Sequence, residues 1–254
     1  MPSVAWLSLA PVKGLGLVHP DEVFLGWRGV AENRRFYLID DEGRRYGQIR
    51  NGLLVQIKPH YDPRGERLRL DFPDGTVADG DVAVREEIIT DFYGRPVRGR
   101  LVEGPWNEAL SVFAGAPLRL VQSLEEGAAV DRSRGTVSIA SQESLEELAS
   151  RSGAEAVDGR RFRMLIGVEG LEPHGEDAWV GREVRVGEAR VRLVGHVGRC
   201  ATTTQNPDTG RVDFDTLREL KAYRGLRDGK EINFGVFGEV VEPGPVRLGD
   251  PVDD

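Results

Sequence analysis

His196-Val197-Gly198-Arg199-Cys200-Ala201-Thr202-Thr203-Thr204-Gln205-Asn206-Pro207-Asp208-Thr209-Gly210 is the stretch on which the reading of this chain turns. It holds the protein's only cysteine. Arg199 directly precedes the thiol, and His196 lies four residues upstream. Cationic neighbours favour the thiolate, the form that attacks electrophiles and binds soft metals. Three threonines follow, then an Asn-Pro-Asp-x-Gly turn. By residue type alone, a lone cysteine is a small buried hydrophobe. The reactive reading therefore needs electropositive surroundings.

Working outward, β-patterns dominate. Val184 and Val186, then Val191 and Leu193, flank Gly187-Glu188 as a hairpin that runs into the Cys200 stretch. Phe162 to Val168 and Phe234 to Val241 read as core strands. Val4 to Leu7, Val23 to Leu25, Phe36 to Ile39 and Leu53 to Ile57 are further strand-like runs. Leu68, Leu70 and Phe72 alternate with Arg69 and Asp71, the period of a half-buried strand, and Pro73-Asp74-Gly75 turns the chain.

Three segments read as helices. Pro105 opens one that carries Leu110 and Phe113 and ends at Gly115. Ser141 caps a second that carries Leu145, Leu148 and Ala149 and closes at Gly153. Asp213 or Asp215 caps a third, through Leu217 and Leu220 to Gly225. The expected fold class is α+β and β-dominated. A first domain over 1–120 and a second over 121–254 are expected, with the cut near the polar segment after Val121.

The 254 residues suffice for a substantial core without disulfide staples. One cysteine excludes an internal disulfide and fits a reducing compartment. A net charge of −8 argues against a nucleic-acid partner, although it leaves room for a small basic pocket. The N-terminus has no Lys or Arg before Lys13 and no long apolar run, so neither a signal peptide nor a membrane span is expected. The expected location is cytoplasmic.

Most catalytic signatures are missing. The four histidines are not paired at metal-ligand spacing, and there is no Gly-x-Ser-x-Gly, Walker loop or Gly-x-Gly-x-x-Gly. A cysteine acyl transferase using Cys200 and His196 meets a geometric obstacle. Residues four apart on an extended strand lie about 13 Å apart. Lys13, Arg35, Arg163 and Arg199 sit beside apolar or glycine-rich sequence and together suit an anionic ligand, because arginine binds phosphate with a planar fork.

Five motifs occur in order along the chain. They are Pro11-Val12-Lys13; Arg34-Arg35-Phe36-Tyr37; Phe162-Arg163 with Val168-Glu169-Gly170 and Glu176-Asp177-Ala178-Trp179; Arg199-Cys200 with Asn206-Pro207-Asp208-Thr209-Gly210; and Val246-Arg247-Leu248-Gly249-Asp250. In these the chain resembles the MOSC superfamily, named for the C-terminal domain of molybdenum-cofactor sulfurases. It is most similar to two-part members such as the mitochondrial amidoxime-reducing component and its bacterial relatives.

The resemblance implies an N-terminal β-barrel-like domain packed on a C-terminal MOSC β-barrel with a few helices. It implies a molybdenum cofactor of the molybdopterin type, with Cys200 as catalytic residue and metal ligand. Lys13, Arg35, Ser141, Arg163 and Arg199 would hold the cofactor. It implies an oxidoreductase that reduces N-oxygenated small molecules, with electrons from a separate carrier, a ferredoxin or a haem protein with its reductase. Two alternatives stand beside it: a sulfur-carrier or cofactor-handling protein using a Cys200 persulfide, and a non-catalytic MOSC-fold binding module. The chain departs from the family pattern at Gly14, Met164-Leu165 and Gly198. The Leu165 departure is expected to remove a polar contact to the cofactor.

Overall fold

The computed structural model describes residues 1–128 and 130–253. The first half contains β1 (Ser3–Leu7), β2 (Glu22–Leu25), β3 (Phe36–Asp40), β4 (Arg45–Tyr46), β5 (Lys58–Asp62), β6 (Arg67–Asp71) and β7 (Val77–Asp81). A long hairpin, β8 (Ala83–Phe92) and β9 (Arg95–Glu103), leads to α1 (Trp106–Ala114) and β10 (Leu118–Ser123). Then come β11 (Val137–Ser141), α2 (Gln142–Ser152), β12 (Ile166–Glu169), β13 (Glu183–Val186) and β14 (Ala189–Gly198). The chain ends with α3 (Thr216–Arg224), β15 (Asn233–Glu242), β16 (Gly244–Arg247) and β17 (Val252–Asp253). The protein is β-dominated, as its patterning indicates.

The helices begin and end where their caps dictate. The Ser141 hydroxyl accepts from Ser144 N, and Gly153 closes α2 in the left-handed conformation. Asp215, rather than Asp213, caps α3 by accepting from Arg218 N.

Seven strands form one sheet in the order β1-β12-β11-β15-β14-β13-β17. Its two edges meet. Ser3 bridges Pro251, Val4 N donates to Asp250 O at 2.9 Å, and Val252 N donates to Pro2 O at 2.9 Å. Closure turns the sheet into a barrel and removes the exposed edges that invite aggregation. Its interior is aliphatic, with Leu7, Ile139, Ile166, Val191, Leu193 and Val236 each nearly fully buried. The β2–β16 ribbon adds Val23, Leu25 and Val246 to the same core.

Residues 36–123 form the other lobe. A five-stranded sheet, β4-β3-β10-β9-β8, stands with a three-stranded sheet, β5-β6-β7, and α1. Phe36, Leu38, Leu68, Leu70, Leu120 and Trp106 share one core there. The sheets divide the chain differently from the expected cut after residue 120. β1 and β2 belong with the barrel, because β1 needs β12 as a partner and β2 needs β16, while Val12 and Leu15 between them pack in the lobe core.

Two expected strands take other forms. Gly52–Gln56 is a 3-10 turn, capped by the Asn51 side chain accepting from Leu53 N at 3.1 Å. Its apolar run turns Leu54 and Val55 inward without a strand partner. The run from Phe162 to Val168 breaks at Arg163, whose φ of 52° no strand accommodates. A 3-10 turn covers Gly159–Phe162, and the strand starts only at Ile166. The β8–β9 hairpin has no counterpart in the sequence reading. Its outer strand alternates charged residues with few apolar ones, which hides the strand period.

Segment 127–253, expressed without residues 1–30, is expected to show no cooperative thermal unfolding, since β12 keeps β11 but loses β1, and β16 loses β2. In the full chain, Leu7→Ala is expected to cost about 3 kcal/mol in denaturant titrations, typical of a buried leucine.

Candidate functional site

A cleft of about 420 Å³ opens between lobe and barrel. Among the described residues, its wall carries eight basic side chains, Lys13, Arg34, Arg45, Arg50, Arg132, Arg161, Arg163 and Arg199, but only one acidic one, Asp131. Cys200 lines the same space. In a protein of net charge −8 this is a strong local inversion of sign.

Backbone geometry gathers these groups. The segment after β1 crosses from barrel to lobe, where Val12 bridges Phe36 in parallel and Lys13 N donates to Phe36 O at 2.8 Å. That crossing sets Lys13 beside Arg34. Both bond the Asp131 carboxylate, and Arg34 also donates to Arg163 O at 3.2 Å. The Arg163 guanidinium donates to Leu15 O at 2.8 Å. Arg199 donates to the carbonyls of Phe234 and Phe162 and sits over the Phe162 ring. Arg34, Arg163 and Tyr93 all line the cleft with positive φ. Left-handed conformation is uncommon outside glycine and concentrates at functional sites.

The crowded cations weaken one another's protonation. Burial, then repulsion from Arg34, brings the Lys13 ammonium down to about 7. The shared Asp131 carboxylate acts the other way. Burial and Arg163 lower Arg34 to about 9, and burial and Arg132 lower Arg199 to about 9. These arginines stay charged at neutral pH, so Lys13 is the member of the set most easily deprotonated, with Asp131 holding its proton in place.

Cys200 lies two residues beyond β14, which ends at Gly198, and begins a 3-10 turn over Ala201–Thr204. It is exposed, and its Sγ donates to Thr202 Oγ1 at 3.4 Å. The loop after it is pinned to the lobe. Gln205 Nε2 donates to Gln48 O at 3.0 Å, and Gln56 Nε2 donates to Thr209 O at 3.1 Å. The backbones of Gly52 and Gly210 touch so closely that a Cβ on Gly210 would lie 1.9 Å from Gly52 O. Arg160 clamps Asp208 bidentately at 2.8 Å, and Arg161 pairs with Asp213 at 2.7 Å. These contacts position the thiol at the junction of the two lobes.

Four of the six residues singled out from the sequence, Lys13, Arg163, Arg199 and Cys200, come together on the cleft wall. Two do not. The Arg35 guanidinium turns away and donates to Ser123 O at 2.9 Å, and its neighbour Arg34 faces the cleft instead. The left-handed turn at Arg34 reverses which of the pair points inward. Ser141 is fully buried as the cap of α2, bonded to Ser144 and Glu176.

His196 is also committed elsewhere. Its Nε2 accepts from Arg227 at 2.8 Å and lies 3.5 Å from Asp177, off the cleft wall, so Cys200 has no histidine base there. Leu165 points into the barrel core, so an apolar residue there takes no contact away from the cleft. Gly14 has a φ of 92°, which explains glycine at that departure from the family pattern. Sequence reasoning missed Arg34, Arg45, Arg132 and Tyr93, because nothing in a lone arginine or tyrosine announces which face of a turn it takes. Among the described residues, no group of three or more His, Cys, Asp or Glu is placed to hold a metal ion. No described helix is long and apolar enough to cross a membrane.

The MOSC domain profile matches residues 127–253, which include Asp131, Arg163, Arg199 and Cys200. Mouse mitochondrial amidoxime-reducing component 1 is 36% identical over 121 residues, covering 45% of this chain and 35% of the relative. Human mitochondrial amidoxime reducing component 2 is 38% identical over 99 residues, covering 36% of this chain and 29% of the relative. The chain thus matches about a third of the length of these curated relatives. Among solved structures, the YUAD protein from Bacillus subtilis aligns over 99% of this chain and 94% of its own, at 13% identity and a TM-score of 0.48. With the profile spanning half of its residues, the chain belongs to the MOSC domain family.

Proposed function

We propose that the cleft holds a molybdenum–pterin cofactor and that the protein is a cytoplasmic reductase of N-hydroxylated small molecules. The observation that carries this reading is the lone exposed thiol at the rim of a cation-lined cleft in an acidic protein. The donor chemistry fits. One soft thiolate suits a metal that arrives with sulfur ligands of its own. A phosphate-bearing cofactor suits a wall rich in guanidinium groups.

In this reading Cys200 would bind the metal, while Lys13, Arg34, Arg163 and Arg199 would hold the phosphate and pterin. Arg34 takes the role first expected of Arg35, and Ser141 serves α2 rather than the cofactor. The bound cofactor would supply two-electron chemistry at the N–O bond. Two electrons and two protons convert N–OH into N–H and water, with the electrons delivered by a separate carrier protein. The chain's own contribution is orientation and charge. The Gly52–Gly210 contact holds the thiol loop against the lobe, and the Arg160–Asp208 pair ties it to the turn before Arg163.

Cys200→Ala is expected to lose molybdenum and N-hydroxyl reduction while keeping its melting temperature within a few degrees, because the thiol is exposed. Metal analysis and calorimetry of protein from a molybdenum-replete host check this. A wild-type protein free of molybdenum but carrying one reducible extra sulfur would favour the sulfur-carrier alternative instead.

The Lys13 ammonium near 7 gives a pH signature. The cation exists below that value and is lost above it, so affinity for an anion in the cleft should weaken between pH 6 and 8. Inorganic sulfate, whose charge is constant between pH 6 and 8, should bind several-fold more weakly at pH 8 in calorimetric titrations, since most of the Lys13 cation is lost there. Lys13→Arg should flatten that dependence.

A further inference from the structure

The cleft holds more positive charge than the cofactor-holding set accounts for. Of the eight basic side chains on its wall, four have a carboxylate partner. Lys13 and Arg34 share Asp131, Arg50 is bonded to Asp40, and Arg161 to Asp213. Among the described residues, Arg45, Arg132, Arg163 and Arg199 have no ion pair. Arg163 and Arg199 are held by carbonyl groups, and Arg132 lies over the Phe237 ring. Arg45 is different. Its guanidinium carbon lies 3.4 Å from the centroid of the Tyr93 ring, and it comes from β4 on the lobe side, across from the Cys200 loop.

The Tyr93 side of this stack is built at a local cost. Phe92 pairs with Arg95, so Tyr93-Gly94 is a two-residue hairpin turn. Both residues have positive φ, 59° and 83°, as a type I′ turn requires. Asn-Gly or Asp-Gly is the favoured sequence for such a turn, and a bulky aromatic at its first position is an outlier. The ring is 66% exposed, so burial does not explain its presence. What the ring does is cover one face of Arg45 on the cleft wall. A stacked guanidinium is fixed in plane and offers its edge N–H groups as a fork, the geometry that binds carboxylate or phosphate bidentately.

We infer that Arg45, held by Tyr93, is a recognition site for an anionic group on the substrate. The substrate class is then an N-hydroxylated molecule that also carries a carboxylate or phosphate. This rests on the reductase reading for the N-hydroxyl part only; the anion fork stands on its own geometry.

The test uses probes that cannot be reduced. Benzamide, 4-carboxybenzamide and 4-carbamoylphenyl phosphate are titrated calorimetrically into the holoprotein. The expected result is that one anionic probe binds at least about tenfold more tightly than benzamide, the scale of one charge-assisted hydrogen bond. The probe with the larger gain identifies the anion. In Arg45→Gln the ratio of affinities should collapse toward one. Tyr93→Asn, which restores a favoured turn residue, should also lower the ratio while the melting temperature stays level or rises. Equal affinities in the wild type, or a ratio that survives Arg45→Gln, would overturn the inference. So would loss of molybdenum from Arg45→Gln, which would assign this guanidinium to the cofactor. If the fork binds anions but the loaded protein reduces neither 4-carboxybenzamidoxime nor benzamidoxime, the reductase reading fails and the anion site remains.

Discussion

A single carboxylate, Asp131, stands against the crowd of cations in the cleft. Two unit charges 4 Å apart interact by about 4 kcal/mol near a protein surface, so like charges this close need compensation. Asp131 supplies it for Lys13 and Arg34. Asp40 and Asp213, which lie off the cleft wall, supply it for Arg50 and Arg161. The other four cations have weaker partners: the carbonyls of Leu15, Phe162 and Phe234, and the rings of Phe162, Phe237 and Tyr93. These groups orient a guanidinium without cancelling its charge. The fold thus keeps a positive potential in place until an anion arrives.

Holding that arrangement costs backbone freedom. Arg34, Tyr93 and Arg163 take a conformation that glycine would adopt without strain, and each does so where its side chain enters the cleft. At Arg34 the twist exchanges the inward residue of an Arg-Arg pair. At Arg163 it interrupts what would otherwise be a continuous strand. Local stability is given up at these points and recovered in two ordinary apolar cores on either side.

This explains what could be read from the residues and what could not. Helix limits were legible because capping is local: Ser141, Asp215, Gly115 and Gly153 act within one turn. The hairpin entering the Cys200 stretch was legible because period two is local as well. The assignment of β1 and β2 to the barrel was not, since it depends on partners far away in sequence. Within the cleft, Lys13, Arg163, Arg199 and Cys200 could be named because motifs surround them. Arg34 was confused with Arg35 because one dihedral angle decides between them. Arg45 and Tyr93 carried no sign at all, since their stack exists only once β4 and the hairpin tip have met.

The closed barrel also imposes an order of events on the nascent chain. Residues 36–123 pair among themselves, so that lobe can form as soon as it leaves the ribosome. β1 emerges earlier but has nothing to pair with until Ile166 is made opposite Leu7. The hydrogen bonds from Val4 to Asp250 and from Val252 to Pro2 wait longer still, for residues 250–252. Until β12 is made, β1 therefore stays unpaired, a state that long-range β pairing makes slow to resolve and that a chaperone would be suited to cover.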